Sequence, residues 1–157
     1  MPHQTGIKII AENRKAYHDY FIEERFECGV VLAGTEVKSL RGGKINLRDS
    51  YCTVKGGELY MIGVNISPYD HGNRFNLDPM RTRKLLMHKR EIIKLSSKIK
   101  LDGLTLVPTK CYFKDGRVKF EIGLARGKKD YDKRDTEAKK SAKREADRAA
   151  KFSHKYS

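Results

Sequence analysis

The chain has 157 residues, 34 Lys and Arg against 20 Asp and Glu, and a formal net charge of +14. That length suits one compact domain, and 38% apolar residues with no Trp can fill one small core. The longest apolar run, Cys28 to Gly34, is far short of the ~18 residues of a membrane span, and Met1 to Gly6 carries no hydrophobic signal segment, so a membrane-spanning helix is excluded and a cytoplasmic location is expected.

Period-2 patterns dominate the first 126 residues. Ile7 to Ile10 reads as a short strand. From Tyr20 to Leu32 one face reads Tyr20, Ile22, Glu24, Phe26, Cys28, Val30 and Leu32, which predicts a long half-buried strand with a bend or bulge at Gly29. Thr35 is a candidate cap for a short helix that turns Val37 and Leu40 inward and stops at Gly42-Gly43. Strands at Ser50–Lys55 and Glu58–Asn65 flank the hairpin signal Gly56-Gly57. Asp78-Pro79 fits the start of a longer helix, to about Ile99, with Leu85, Ile92, Leu95 and Ile99 inward. Two last strands, Leu104–Phe113 and Arg117–Leu124, flank Asp115-Gly116, a type I′ turn signal. After Leu124 there is no Val, Ile, Leu or Met, although residues 127–157 hold 11 Lys and Arg. A segment so poor in apolar residues cannot offset its own ordering entropy. The expected organisation is a folded domain at 1–126 and a mobile basic tail at 127–157. The expected fold class is mainly β with small helices: an OB-like, six-stranded antiparallel β-barrel, with an open α+β sheet as the alternative.

The charge points to a polyanion, most simply nucleic acid. No constellation for an enzyme is present. Gly42-Gly43-Lys44 lacks the rest of a phosphate loop, and the acids are too dispersed for a metal-dependent nuclease. His18-Asp19 is a neighbouring pair, but on a strand the two side chains would diverge. His71, in a loop rich in Gly, Asn and Asp, reads as a backbone-bonding residue. Cys28, Cys52 and Cys111 are an odd number without Cys-x-x-Cys, which reads as free thiols rather than a disulfide or a zinc site. Stacking on unpaired RNA bases would fall to a few of Tyr17, Tyr20, Phe21, Tyr51, Tyr60, Tyr69, Phe75, Tyr112 and Phe113, most of which should be core.

Five segments carry a resemblance: Asn13 to Glu24, Glu36 to Lys44, Asn65 to Tyr69, Asp78-Pro79 with Arg81 to Leu86, and Gly127-Lys128-Lys129 with Asp132-Lys133-Arg134. In this order and spacing they resemble the SsrA-binding protein (SmpB) family of bacterial trans-translation. The resemblance implies a monomeric, cytoplasmic, non-enzymatic protein with no cofactor, no metal and no membrane partner. It implies binding to the tRNA-like domain of transfer-messenger RNA and delivery of that RNA to stalled ribosomes. It implies RNA contacts at Asn13, Glu27, Leu86 and Lys119. It further implies a tail that is disordered when free and helical when ribosome-bound, filling the empty mRNA channel beside the decoding centre. Lys128, Lys129, Tyr131, Asp132, Lys133 and Arg134 would act there, Tyr131 standing where many relatives carry His. The stripe Ala138, Ala142, Ala146, Ala149, Phe152, Tyr156 suits such a helix. The alternative is a general RNA-binding or ribosome-assembly protein.

Overall fold

The computed structural model describes residues 6–69 and 77–156, with side chains to Lys151. His71 and Phe75 lie outside the described residues, as do the side chains of Phe152 and Tyr156. The elements in chain order are β1 (Ile7–Glu12), α1 (Arg14–Asp19), β2 (Tyr20–Val30), α2 (Gly34–Arg41), β3 (Ile45–Asn46), β4 (Tyr51–Lys55), β5 (Glu58–Ile62), β6 (Asn65–Ile66), β7 (Arg83–Leu86), α3 (Lys89–Asp102), β8 (Thr105–Lys114), β9 (Arg117–Gly127) and α4 (Asp130–Tyr156).

The fold is mixed α/β around an antiparallel sheet. Pairing runs β8–β4–β5–β7–β2–β9 and returns from β9 to β8, a ring of six strands with β1 added beside β8. The inward residues are those of the period-2 pattern: Cys28, Leu59, Met61, Leu106, Phe120, Ile122 and Leu124 meet Leu40 of α2 and Ile92 and Leu95 of α3 in one core. Among the described residues no helix is long and apolar enough to cross a membrane. The three cysteines are free and buried, and burial pushes the Cys28 and Cys111 thiols up to about 12.

Both hairpins form where their turn residues stand. Asp115 and Gly116 take φ of 51° and 77°, the two left-handed positions that a type I′ turn needs. No register shift falls at Gly29, where a bend or bulge was expected. The register shift in β2 falls between Ile22 and Glu24, whereas Gly29 is where β2 leaves β9 and pairs with Leu86 of β7. A Cβ there would lie 3.3 Å from the Leu86 Cβ, so a glycine lets Leu86 settle against the strand.

Several elements differ from their sequence expectation. The helix begins at Lys89, not Pro79, because Arg83–Leu86 is a strand. Asp78 and Pro79 open a turn instead, with the Met80 N–H donating to Asp78 Oδ1 at 2.8 Å. Thr35 lies inside the first turn of α2; the N-cap is Ala33, whose N–H donates to Glu36 Oε1 at 2.9 Å. Finally, residues expected to lack fixed structure form the 27-residue α4. Asp130 and Asp132 complement its N-terminal dipole, and Asp135–Lys139 adds an i,i+4 pair at 3.0 Å. Its alanines favour the helical state.

Candidate nucleic-acid interface

Three of the four expected RNA-contact residues line one groove. Its walls are Glu27, Cys28 and Gly29 of β2, Leu86, Met87, His88 and Glu91 at the β7–α3 junction, and Lys119 of β9. A second depression shares Gly29, Leu86 and Lys119 and continues past Val37 and Arg117. The geometry follows from alternation along the strands. Cys28, Leu85 and Phe120 point inward, so Glu27, Leu86 and Lys119 point out. Leu85 is 1% exposed and Leu86 is 50% exposed, an apolar side chain left on the surface between charged neighbours.

Glu27 is held firmly. Its Oε2 accepts a hydrogen bond from the Tyr112 hydroxyl at 2.5 Å, and Lys114 Nζ lies 3.2 and 3.3 Å from its two oxygens. The Tyr112 hydrogen bond, with lesser help from Lys114 and Lys119, keeps its carboxyl below the usual range. It is therefore ionised at neutral pH and can only accept. The groove joins an acceptor, a cation and an exposed apolar side chain, which suits a polar, anionic polymer with flat faces.

Asn13 stands apart and is 5% exposed. It is the N-cap of α1: its Oδ1 accepts from the Ala16 N–H at 3.2 Å, and its Nδ2 donates to the carbonyls of Leu47 and Pro108 at 3.1 and 2.9 Å. Its bonding capacity is spent on holding the 13–19 segment against β8.

The start of the tail is docked on α1 by polar groups. Lys128 Nζ donates to the Tyr17 carbonyl at 3.1 Å and to Thr136 Oγ1 at 2.8 Å, and lies 4.9 Å from the Phe21 ring centre. Lys133 Nζ is 3.7 Å from Asp19 Oδ1. Asp132 Oδ2 accepts from the Lys129 N–H at 3.2 Å. Lys129 and Arg134 are exposed, and Tyr131 is 65% exposed. From Glu137 to Lys151 every residue is exposed.

His18 and Asp19 do not diverge as a strand would make them. They end α1, with Nδ1 and Oδ1 2.9 Å apart, while His18 Nε2 lies 2.7 Å from Glu137 Oε1. Hydrogen bonding to Asp19, then to Glu137, raises the pKa of the imidazole. Of the candidate stacking aromatics, Phe21 and Tyr51 are exposed and Tyr112 is buried. Met87, His88 and Glu91 were not singled out for the groove from sequence. Their places depend on the β7–α3 junction and on strand order, neither of which hydropathy reveals.

A model of the family described as SmpB protein matches residues 10–152. An SsrA-binding protein of Syntrophotalea carbinolica is 62% identical over 149 residues, covering 95% of this chain and 99% of that one. The SsrA-binding protein of Carboxydothermus hydrogenoformans is 60% identical over 142 residues, covering 90% and 95%. Among solved structures, a chain from "tmRNA-SmpB: a journey to the center of the bacterial ribosome" is 51% identical with a TM-score of 0.65, covering 76% of this chain and 85% of that one.

Proposed function

The chain belongs to the SmpB family, and on that premise we propose that it binds transfer-messenger RNA and delivers it to stalled ribosomes for trans-translation. It does so as a cytoplasmic binding protein and monomer. The supporting observation is the groove in which Glu27, Leu86 and Lys119 meet on a chain of net charge +14. The six-stranded ring is read as an OB-like barrel, with 1–126 as the RNA-binding unit and 127–157 as the tail. Lys119 supplies a phosphate contact, Leu86 an apolar surface for a base or ribose, and Glu27 an acceptor. Asn13, being buried, serves by positioning α1. The experiment that tests the reading is recovery of the RNA that co-purifies with the protein from cells. A single dominant transfer-messenger RNA is expected; mixed ribosomal fragments would favour a ribosome-assembly protein instead.

The groove residues should separate by mechanism. Glu27 cannot attract phosphate, so it accepts from a base N–H or a 2′-hydroxyl. Glu27→Gln should weaken specific binding by about 1–2 kcal/mol. Lys119→Ala should instead reduce the salt slope by about one phosphate contact. Binding isotherms at several salt concentrations measure both, and parental affinity for Glu27→Gln at moderate salt would remove Glu27 from the site.

In the tail, Lys128, Lys129, Asp132, Lys133 and Arg134 set the charge and the helix start, and Tyr131 offers its ring. What a tyrosine shares with the His of relatives is a flat face. Stacking on a decoding-centre nucleotide would contribute roughly 1–3 kcal/mol. Tyr131→Phe should retain rescue. Tyr131→Ala should slow peptide tagging on stalled ribosomes while leaving affinity for free transfer-messenger RNA unchanged. Equal tagging rates at subsaturating protein would dismiss the stacking role.

A further inference from the structure

We propose that Tyr112 is the residue that aims Glu27 at the RNA. The inference rests on the reading of Glu27 as a contact and adds how that contact is oriented.

The argument starts from strand order. β9 lies between β8 and β2. Tyr112 of β8 is paired with Lys119 of β9, and Glu27 of β2 is paired with Glu121 of β9. Directly paired residues project to the same face of a sheet. Their neighbours Cys111, Cys28, Phe120 and Ile122 fill the core, so these four rise from the outer face. Tyr112 and Glu27 are thus two strand spacings apart, about 9–10 Å across the sheet, and offset by two residues along β9. A short side chain does not span that gap, but the Tyr112 side chain does, and its hydroxyl reaches Glu27 Oε2 at 2.5 Å.

Tyr112 is also fixed where it lies. It is only 6% exposed, in contrast to the half-exposed Leu86 nearby. Burial, with Glu27 adding to it, drives the phenol pKa upward, so the hydroxyl remains a donor throughout the neutral range. Lys114, the other partner, sits at the end of β8 with its side chain 43% exposed. It attracts the carboxylate from a flexible stem and leaves its direction to Tyr112.

Pinning has a consequence for recognition. A carboxylate has about four acceptor positions. Tyr112 occupies one on Oε2 and Lys114 leans on both oxygens, which leaves acceptor capacity on Oε1. A freely rotating carboxylate would have to be ordered at the moment of binding. One already held presents its remaining acceptor in a single direction, and that preorganisation favours an RNA donor placed to meet it. Tyr112 is therefore a positioning residue: it touches Glu27, not the RNA.

Tyr112→Phe removes the hydroxyl and keeps the ring. Binding of the full-length variant to the tRNA-like domain of transfer-messenger RNA should weaken about tenfold, the scale of one hydrogen bond to a charged group. The salt slope should stay at the parental value, because no phosphate contact is touched. In a Glu27→Ala background, Tyr112→Phe should have no further effect. Parental affinity for Tyr112→Phe, with Glu27→Ala weakened, would overturn the positioning role while leaving the RNA site standing. Parental affinity for Glu27→Ala would overturn the site reading and this proposal together. An equal loss from Tyr112→Phe with and without Glu27 would assign the tyrosine a purely structural part and overturn the proposal as well.

Discussion

Glu36→Ala is expected to destabilise the fold by about 3–5 kcal/mol, because it strands a buried arginine. Arg83 is 0% exposed. Its Nε donates to Glu36 Oε2 at 2.8 Å, and its Nη1 and Nη2 donate to the carbonyls of Val64 and Pro79 at 2.7 and 2.9 Å. Arg81 also bonds Glu36, through Nη2 to Oε1 and through Nε to Oε2 at 3.1 Å. An arginine does not neutralise itself on burial, so without Glu36 the charge stays and its counter-charge is gone. The double variant Glu36→Ala with Arg83→Leu should recover part of the loss, since no unpaired charge remains. Urea titration measures both. A loss below about 1 kcal/mol for Glu36→Ala would mean that the arginine escapes to water.

The same pair carries a pH dependence of definite sign. Burial alone would raise the Glu36 carboxyl, but Arg81, the Ala33 N–H and Arg83 outweigh it and hold it below the usual range. A carboxyl depressed in the folded state contributes stability above its unfolded pKa, about 4.3. That contribution disappears as the pH falls through the lower folded value. Glu36→Ala should therefore show a flatter stability profile than the parent on the acid side.

This cluster also explains why the sequence misleads between Asp78 and Leu86. β7 obeys a period of two, with Arg83 and Leu85 inward and Lys84 and Leu86 outward. One inward position is a charged arginine, so a hydropathy pattern sees only Leu85, which happens also to fit the helical spacing of Ile92, Leu95 and Ile99. The hairpins were legible because Gly56-Gly57 and Asp115-Gly116 are local signals that need no knowledge of partners. Leu85 was expected inward from helical spacing, and it is inward, but through the alternation of β7. Neither the cap role of Asn13 nor its burial was legible, because it is held by the Leu47 and Pro108 carbonyls, 34 and 95 residues away. The Tyr112–Glu27 bond spans 85 residues and an intervening strand. Contacts of that range follow from topology and leave no mark in local pattern.

Removal of the tail should separate the two halves of the function. A chain ending at Gly127 keeps β9 and the closed ring intact. It loses the Lys128 and Lys133 contacts to α1 and the Glu137 contact to His18. These are surface polar contacts, and such contacts contribute little to stability. Among the described residues the core holds none beyond Ala125, so the fragment should fold. It should bind the tRNA-like domain within about tenfold of the parent, with a shallower salt slope because 11 basic residues are gone. Rescue should be abolished, because nothing then enters the mRNA channel. The reason lies in how the tail is built. Its first turns are docked, but from Glu137 onward α4 is exposed on all sides. An isolated helix of alanine and charged residues is marginal in water. Against ribosomal RNA its cations would gain counter-charges, which should make the helix the favoured state. Amide exchange should accordingly be fast beyond Glu137 in the free protein and slow on the ribosome. An unfolded fragment, normal peptide tagging by it, or a tail protected from exchange when free would each break the division into an RNA-binding body and a ribosome-dependent helix.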